Sequence, residues 1–238
     1  MSAALVDELR AALGFVPGAV GVMGKWEPFS APARCLREVA ARAAAAVAIV
    51  EALGRGAHVS PYLLSAEGQL RGQIRPGCQL CAEILVDLGA DPSRIRCCAG
   101  SNRTAVELRV LDRMRRELAM VERSTSETAG LLLITSGYHA PRTRLLLQRA
   151  RPPLEAVALL ELDSALVRRA LAELPESRRA RLSTTIAAAR NEGLSRASVA
   201  LTEALGELAM LLPSVEGIVA DVLRGAVDPR SAMFQPRL

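Results

Sequence analysis

Through its first 160 or so positions the chain alternates short apolar runs with longer stretches of helical period. Residues 19–23 (AVGVM) form the first run, with Gly24 directly after it. Residues 32–53, rich in alanine and closed by Gly54, predict a helix. Residues 59–65 (VSPYLLS) predict a second strand, followed by the turn-prone Ala66, Glu67 and Gly68. Residues 76–88 predict a helix that starts on Pro76, whose missing N–H costs nothing there, and stops before Gly89. Residues 94–98 are a weaker strand. Ser101 or Asn102 is placed to cap a long helix reaching Val121, with Val106, Leu108, Val110, Leu111, Met114 and Leu118 on its apolar faces. The strongest strand signal is 131–135 (LLLIT), a continuous apolar run suited to burial on both sides of a sheet. A helix over 140–150 and a strand over 156–160 complete the series. Strands alternating with helices predict an α/β fold, a parallel sheet covered by helices.

After position 163 the β-like runs stop. Residues 164–174, 176–192, 195–212 and 215–224 predict helices separated by Pro175, Gly193 and Pro213, and 226–238 an irregular tail. The expected organisation is an α/β domain over 1–162 and a helical extension over 163–238. The extension either packs on that domain or forms a homodimer contact.

Composition narrows the class. The chain has 238 residues, 50% of them hydrophobic, which is too apolar for a solvated coil and ample for a core. No apolar run approaches the roughly 20 residues that cross a bilayer. The best, 39–50, is mostly alanine and is broken by Arg42. Asp7 and Glu8 come too early for a basic-then-apolar leader, so a soluble, cytoplasmic protein without a membrane partner is expected. The net charge of +5 comes from 30 basic residues, Lys25 being the only lysine, against 25 acidic ones. With aromatics at 3%, stacking on nucleic acid has little to work with, and no nucleic-acid partner is expected. Five cysteines, an odd number without a leader, argue against a disulfide framework. Cys78 and Cys81 with Cys97 and Cys98 imitate a zinc-ribbon spacing. Adjacent cysteines on a strand face opposite sides, however, so these read as small buried hydrophobes with one or two spare thiols, and no metal is expected.

Ligands of open parallel sheets bind beyond the carboxyl ends of the strands. The segments there are Gly24-Lys25-Trp26, Ser65-Ala66-Glu67-Gly68, Gly100-Ser101-Asn102-Arg103-Thr104 and Thr135-Ser136-Gly137-Tyr138-His139. All are polar or glycine-containing. His139 carries an imidazole able to move a proton near neutral pH. Arg142, three residues on and on the same helix face, carries paired donors for a phosphate or carboxylate. The plainer alternative is a helix-cap histidine beside a surface arginine. Trp26 is either a wall for a flat group or a buried anchor, and Lys25 either neutralises phosphate or is solvated. His58 is expected to face solvent. No Walker-type phosphate loop occurs.

The stretch 131–142, LLLITSGYHAPR, resembles the signature of the SanA/YdcF-like family of bacterial proteins: an apolar strand, Thr-Ser, then aromatic-His-x-x-Arg. Residues 88–95 resemble that family's lead into its third strand. Ser101, Asn102, Arg103 and Thr104 with Glu107 are similar to its Ser/Asn/Thr/Glu motif. Where the family has Ser-Gly-Gly this chain has Ser65-Ala66-Glu67, which puts an acid where backbone would approach a ligand. The resemblance covers about residues 18–160. It implies a Rossmann-like domain with a strand-end pocket, and S-adenosylmethionine is a ligand associated with such proteins.

The expectation is therefore an enzyme, a transferase or hydrolase, acting on a small polar metabolite through a pocket for a nucleotide-like or phosphate-bearing ligand. His139 is the expected general acid/base, with Glu67 and Ser136 in the catalytic set. Arg142 and Arg103 are expected to hold an anionic group. Gly24, Lys25, Trp26, Ser65, Ser101, Asn102, Thr104, Glu107, Thr135 and Tyr138 complete the ligand site. The alternative is a non-catalytic, regulatory module that grips S-adenosylmethionine or a nucleotide unchanged.

Overall fold

The computed structural model describes residues 3–24, 32–57, 60–69, 75–101, 104–121 and 130–191. Helix α1 (Ala3–Leu13) precedes strand β1 (Pro17–Val22), and α2 (Pro32–Ala57) leads to β2 (Tyr62–Glu67). Next come α3 (Gly77–Asp87), β3 (Ile95–Ser101), α4 (Thr104–Val121) and β4 (Gly130–Thr135). A 3-10 turn (Gly137–His139) enters α5 (Ala140–Arg149), followed by β5 (Val157–Glu161), α6 (Ala165–Ala172) and α7 (Glu176–Asn191).

All five strands are parallel, in the order β3-β2-β1-β4-β5. The chain winds outward from β1 through β2 to β3, then returns to the other side of β1 through β4 and β5. This is the Rossmann-like arrangement, and the order reverses between β1 and β4. Alternation along the strands divides the core in two. Val20, Val22, Leu63, Leu132 and Ile134 face one side with α2 and α3, while Ala19, Leu64, Leu131 and Leu133 face α4.

The alanine-rich run of α2 has a packing reason. Residues 41–49 are buried without a break, and a helix apolar all round belongs inside a protein. It is sandwiched between the sheet and an outer layer of α1, α6 and α7, and small side chains let both neighbours approach. Leu174, Leu182 and Ile186 share the core of α2, and Arg178 binds the Glu51 carboxylate at 2.9 and 3.1 Å through Nε. Residues up to 191 thus belong to the packed body, and 192–238 lie outside the described residues.

The strands differ from the sequence expectation at their ends. Strand β2 starts at Tyr62, after Pro61, and runs on through Ala66 to Glu67, which pairs with Ser101 rather than forming a turn. Ser101 is correspondingly the last residue of β3, not a helix cap. Gly89 behaves as expected: at φ +86° its N–H reaches Val86 O (2.8 Å) and the Ala90 N–H reaches Leu85 O (3.0 Å), closing α3. Among the described residues no helix is long and apolar enough to cross a membrane.

Candidate functional site

The carboxyl ends of β1 and β4 meet the start of α2 around one side chain, Arg42, which is fully buried. Its Nη1 donates to the carbonyls of Met23 (2.9 Å) and Gly24 (2.8 Å), which directly follow β1. Its Nε donates to Ser136 Oγ (3.0 Å), just after β4. Its Nη2 donates to Glu38 Oε1 (3.1 Å), one helical turn earlier, and to the Tyr138 hydroxyl (3.4 Å). Glu38 Oε1 also accepts from Ser136 Oγ (2.5 Å) and, in a short bond, from the Tyr138 hydroxyl. Burial works against the Arg42 charge, but Glu38, joined by Tyr138 and Glu107, holds its pKa above the ordinary value. Arg42 therefore stays charged, and β1, β4 and α2 are tied at the point where the strand order reverses.

A second group lies across the end of β1. Glu107, in the first turn of α4 and buried, accepts the Gly24 N–H at 2.8 Å. Thr104 at the start of the same helix accepts from Arg142 Nη2 at 2.9 Å, which joins α4 to α5. Glu67, ending β2, lies over the backbone of Gly24 and of Gly77 at the start of α3; a Cβ at either glycine would collide with its side chain. Absence of a side chain at both positions makes room for this carboxylate.

His139 closes the 3-10 turn and is 7% exposed. Its N–H donates to Ser136 O (3.0 Å) and its carbonyl accepts from Thr143 Oγ1 (3.0 Å). Its ring lies 6.5 Å from that of Tyr138. The turn is thus fixed from both sides, with Ser136 held between Arg42 and Glu38.

The structure brings together Gly24, Glu67 and Glu107 just beyond β1, pairs Thr104 with Arg142 between α4 and α5, and puts Ser136 and Tyr138 on the Arg42 network. Ser65, within β2, and Thr135, the last residue of β4, are both buried. Thr135 Oγ1 is buried with no hydrogen-bond partner, and the Ser65 hydroxyl lies beside the Cys81 thiol without an ordinary hydrogen bond. Of Ser101 the backbone is placed, opposite Glu67. Lys25, Trp26, Asn102, Arg103 and His58 lie outside the described residues.

Two site residues are new relative to the sequence expectation: Glu38 and Arg42. Their one local signal is an acid and a base four residues apart on an alanine-rich helix, where a charge has to be either solvated or paired. Arg42's other partners come from 18 to 96 positions away in the chain. Among the described residues no group of three or more His, Cys, Asp or Glu is arranged to hold a metal ion.

Chemically, the groups at these strand ends are carboxylates (Glu67, Glu107), the Arg142 guanidinium and the His139 imidazole, residue types that bind hydroxyls or cations, bind anions and transfer protons, respectively. Comparison with known proteins finds no matching family model, no matching curated protein and no matching solved structure.

Proposed function

We propose that this chain is an enzyme that binds a nucleotide-like or phosphate-bearing small molecule in the crevice between β1 and β4 and acts on a small polar metabolite. S-adenosylmethionine is a ligand of this kind, and a cytoplasmic bacterial transferase or hydrolase of SanA/YdcF-like kinship is the corresponding class. One observation carries the reading. Polar side chains from α2, α4, α5 and the turn after β4 converge on the strand ends where the sheet order reverses, the place where open α/β sheets bind ligands. In this reading Arg142 grips the anionic group, Glu67 and Glu107 take hydroxyls, and His139 moves the proton.

Mass spectrometry of small molecules retained by the purified protein, followed by thermal shift with S-adenosylmethionine and nucleotides, tests the binding half. A ligand at 100 times its Kd raises stability by about 2.7 kcal/mol. A full panel that leaves the melting temperature unchanged overturns the site. For catalysis, His139→Ala is expected to slow turnover by about 10²–10⁴-fold with ligand affinity kept.

A second reading, a module that binds without transforming, is favoured by the burial of His139 and by Arg142's bond to Thr104. In that case the ligand is recovered intact after long incubation, and Arg142→Ala weakens affinity while His139→Ala leaves it alone. A homodimer through the helices after 163 remains the proposed assembly, and sedimentation of the full chain tests it.

A further inference from the structure

The side chains of Cys78, Cys81, Cys97 and Cys98 have different settings. Cys81 is buried on α3 beside Ser65. Cys98 packs toward the α4 side of the sheet and accepts from Arg113 Nη2 at 3.7 Å. Cys78 is buried in the first turn of α3, and Cys97, next to Cys98 on the edge strand β3, faces the opposite side of the sheet from it, toward α3, which places the two thiols beside each other. One member of this pair is buried and the other is exposed. Helix α3 packs directly on β3, so the contact belongs to two fixed elements, not to a loop.

We propose that Cys78 and Cys97 are a reversible disulfide site, oxidised by a small-molecule disulfide that enters at Cys97. In the first step the Cys97 thiolate attacks one sulfur of the reagent, forming a mixed disulfide and expelling one thiolate. In the second, Cys78 gives up its proton and attacks the Cys97 sulfur, expelling the other half of the reagent as a second thiolate. Two protein thiols are oxidised, one reagent disulfide is reduced to two thiols, and the electrons balance.

Exposure sets the order of these steps. Burial, together with the neighbouring Cys97 sulfur, pushes the Cys78 thiol up to about 12, so it is protonated at neutral pH and does not start the exchange. Capping Cys97 removes its thiolate charge and leaves an electrophilic sulfur on the strand that α3 packs against, where attack is intramolecular. The bond would pin the start of α3 to β3. Gly77, the residue before Cys78, is packed on Glu67, so oxidation would fasten one wall of the crevice. The site does not depend on what that crevice binds.

The test incubates the full chain with oxidised glutathione at mild alkaline pH and maps its peptides without reduction. The expected product carries a Cys78–Cys97 link, has two fewer free thiols than the untreated chain and holds no bound glutathione. Tryptic peptides around these residues each carry two cysteines, so single variants assign the sulfurs. Cys98→Ser and Cys81→Ala should keep the link, and Cys97→Ser should abolish it. Cys78→Ser should stop at a stable glutathione adduct on Cys97. If that buried variant fails to fold, the Cys97→Ser and Cys98→Ser pair decides. A lasting adduct on Cys97 in the unaltered chain, a Cys97–Cys98 link or a bond between two chains overturns the proposal.

Discussion

Arg42 shows how much one residue can organise. Five hydrogen bonds leave its guanidinium, two of them to the carbonyls that directly follow β1. Replacing it with methionine strands Glu38 as a buried carboxylate and leaves those carbonyls short of a donor, so the cost is the penalty of a broken buried pair, about 3–5 kcal/mol. Urea unfolding of Arg42→Met measures it, and a midpoint near that of the unaltered protein contradicts the network. Adding Glu38→Leu should recover part of the loss by removing the orphaned charge. Gly24 offers a second residue-scale prediction. A Cβ there meets Glu67, so Gly24→Ala should cost about 1–3 kcal/mol as overpacking. In a Glu67→Ala background the same change should cost at least about 1 kcal/mol less, a coupling that a double-mutant cycle reads directly. Neither contact was legible in the sequence. Arg42 looked like an interruption of an apolar run, because the partners that make it tolerable are remote in the chain and only Glu38 is local.

At the level of elements, legibility followed the strength of the local pattern. LLLIT could only be a strand buried on both faces, and all of β4 is buried. The long α4 and the Pro76/Gly89 bracket around α3 were equally plain, since caps and helical period act over a few residues. Strand ends were less plain. Ala66 and Glu67 look like turn residues but are held in β2 by pairing with β3, a tertiary effect no local propensity contains. Helix α1 is not among the elements the pattern predicts, although Leu5 and Leu9, one turn apart, are wholly buried: its eleven residues form too short a periodic run to stand out. Helix α7 makes the sharpest test at this scale. Its sequence is rich in arginine, threonine and alanine with few large apolar residues, yet Leu182 and Ile186 enter the core of α2. Leu182→Ala should therefore lower stability by about 2–5 kcal/mol, as for a core leucine, where a solvated extension would lose almost nothing. Chemical denaturation separates the two outcomes.

For the whole molecule, the decisive feature is that the outer helices and the crevice share one supporting element. Helix α2 carries Glu38 and Arg42 at its first half and, one to three turns later, the alanine surface that α7 and α6 cover. The sequence changes character at 163, which suggested a boundary there, and composition does change at that point. Packing does not, because a helix buried between two layers needs both of them. Cutting the chain after Asp163 uncovers the outer face of α2 and removes the Arg178–Glu51 pair, exposing a contiguous apolar surface of the kind that drives association. The truncated chain should then lose its cooperative thermal transition or aggregate, and Arg42, positioned from α2, should no longer join β1 to β4. Circular dichroism melting and size-exclusion chromatography provide the check. A truncated chain that melts cooperatively as a monomer near the original temperature would show that the sheet and α2 stand without the outer layer, and that the crevice is built by the first 163 residues alone.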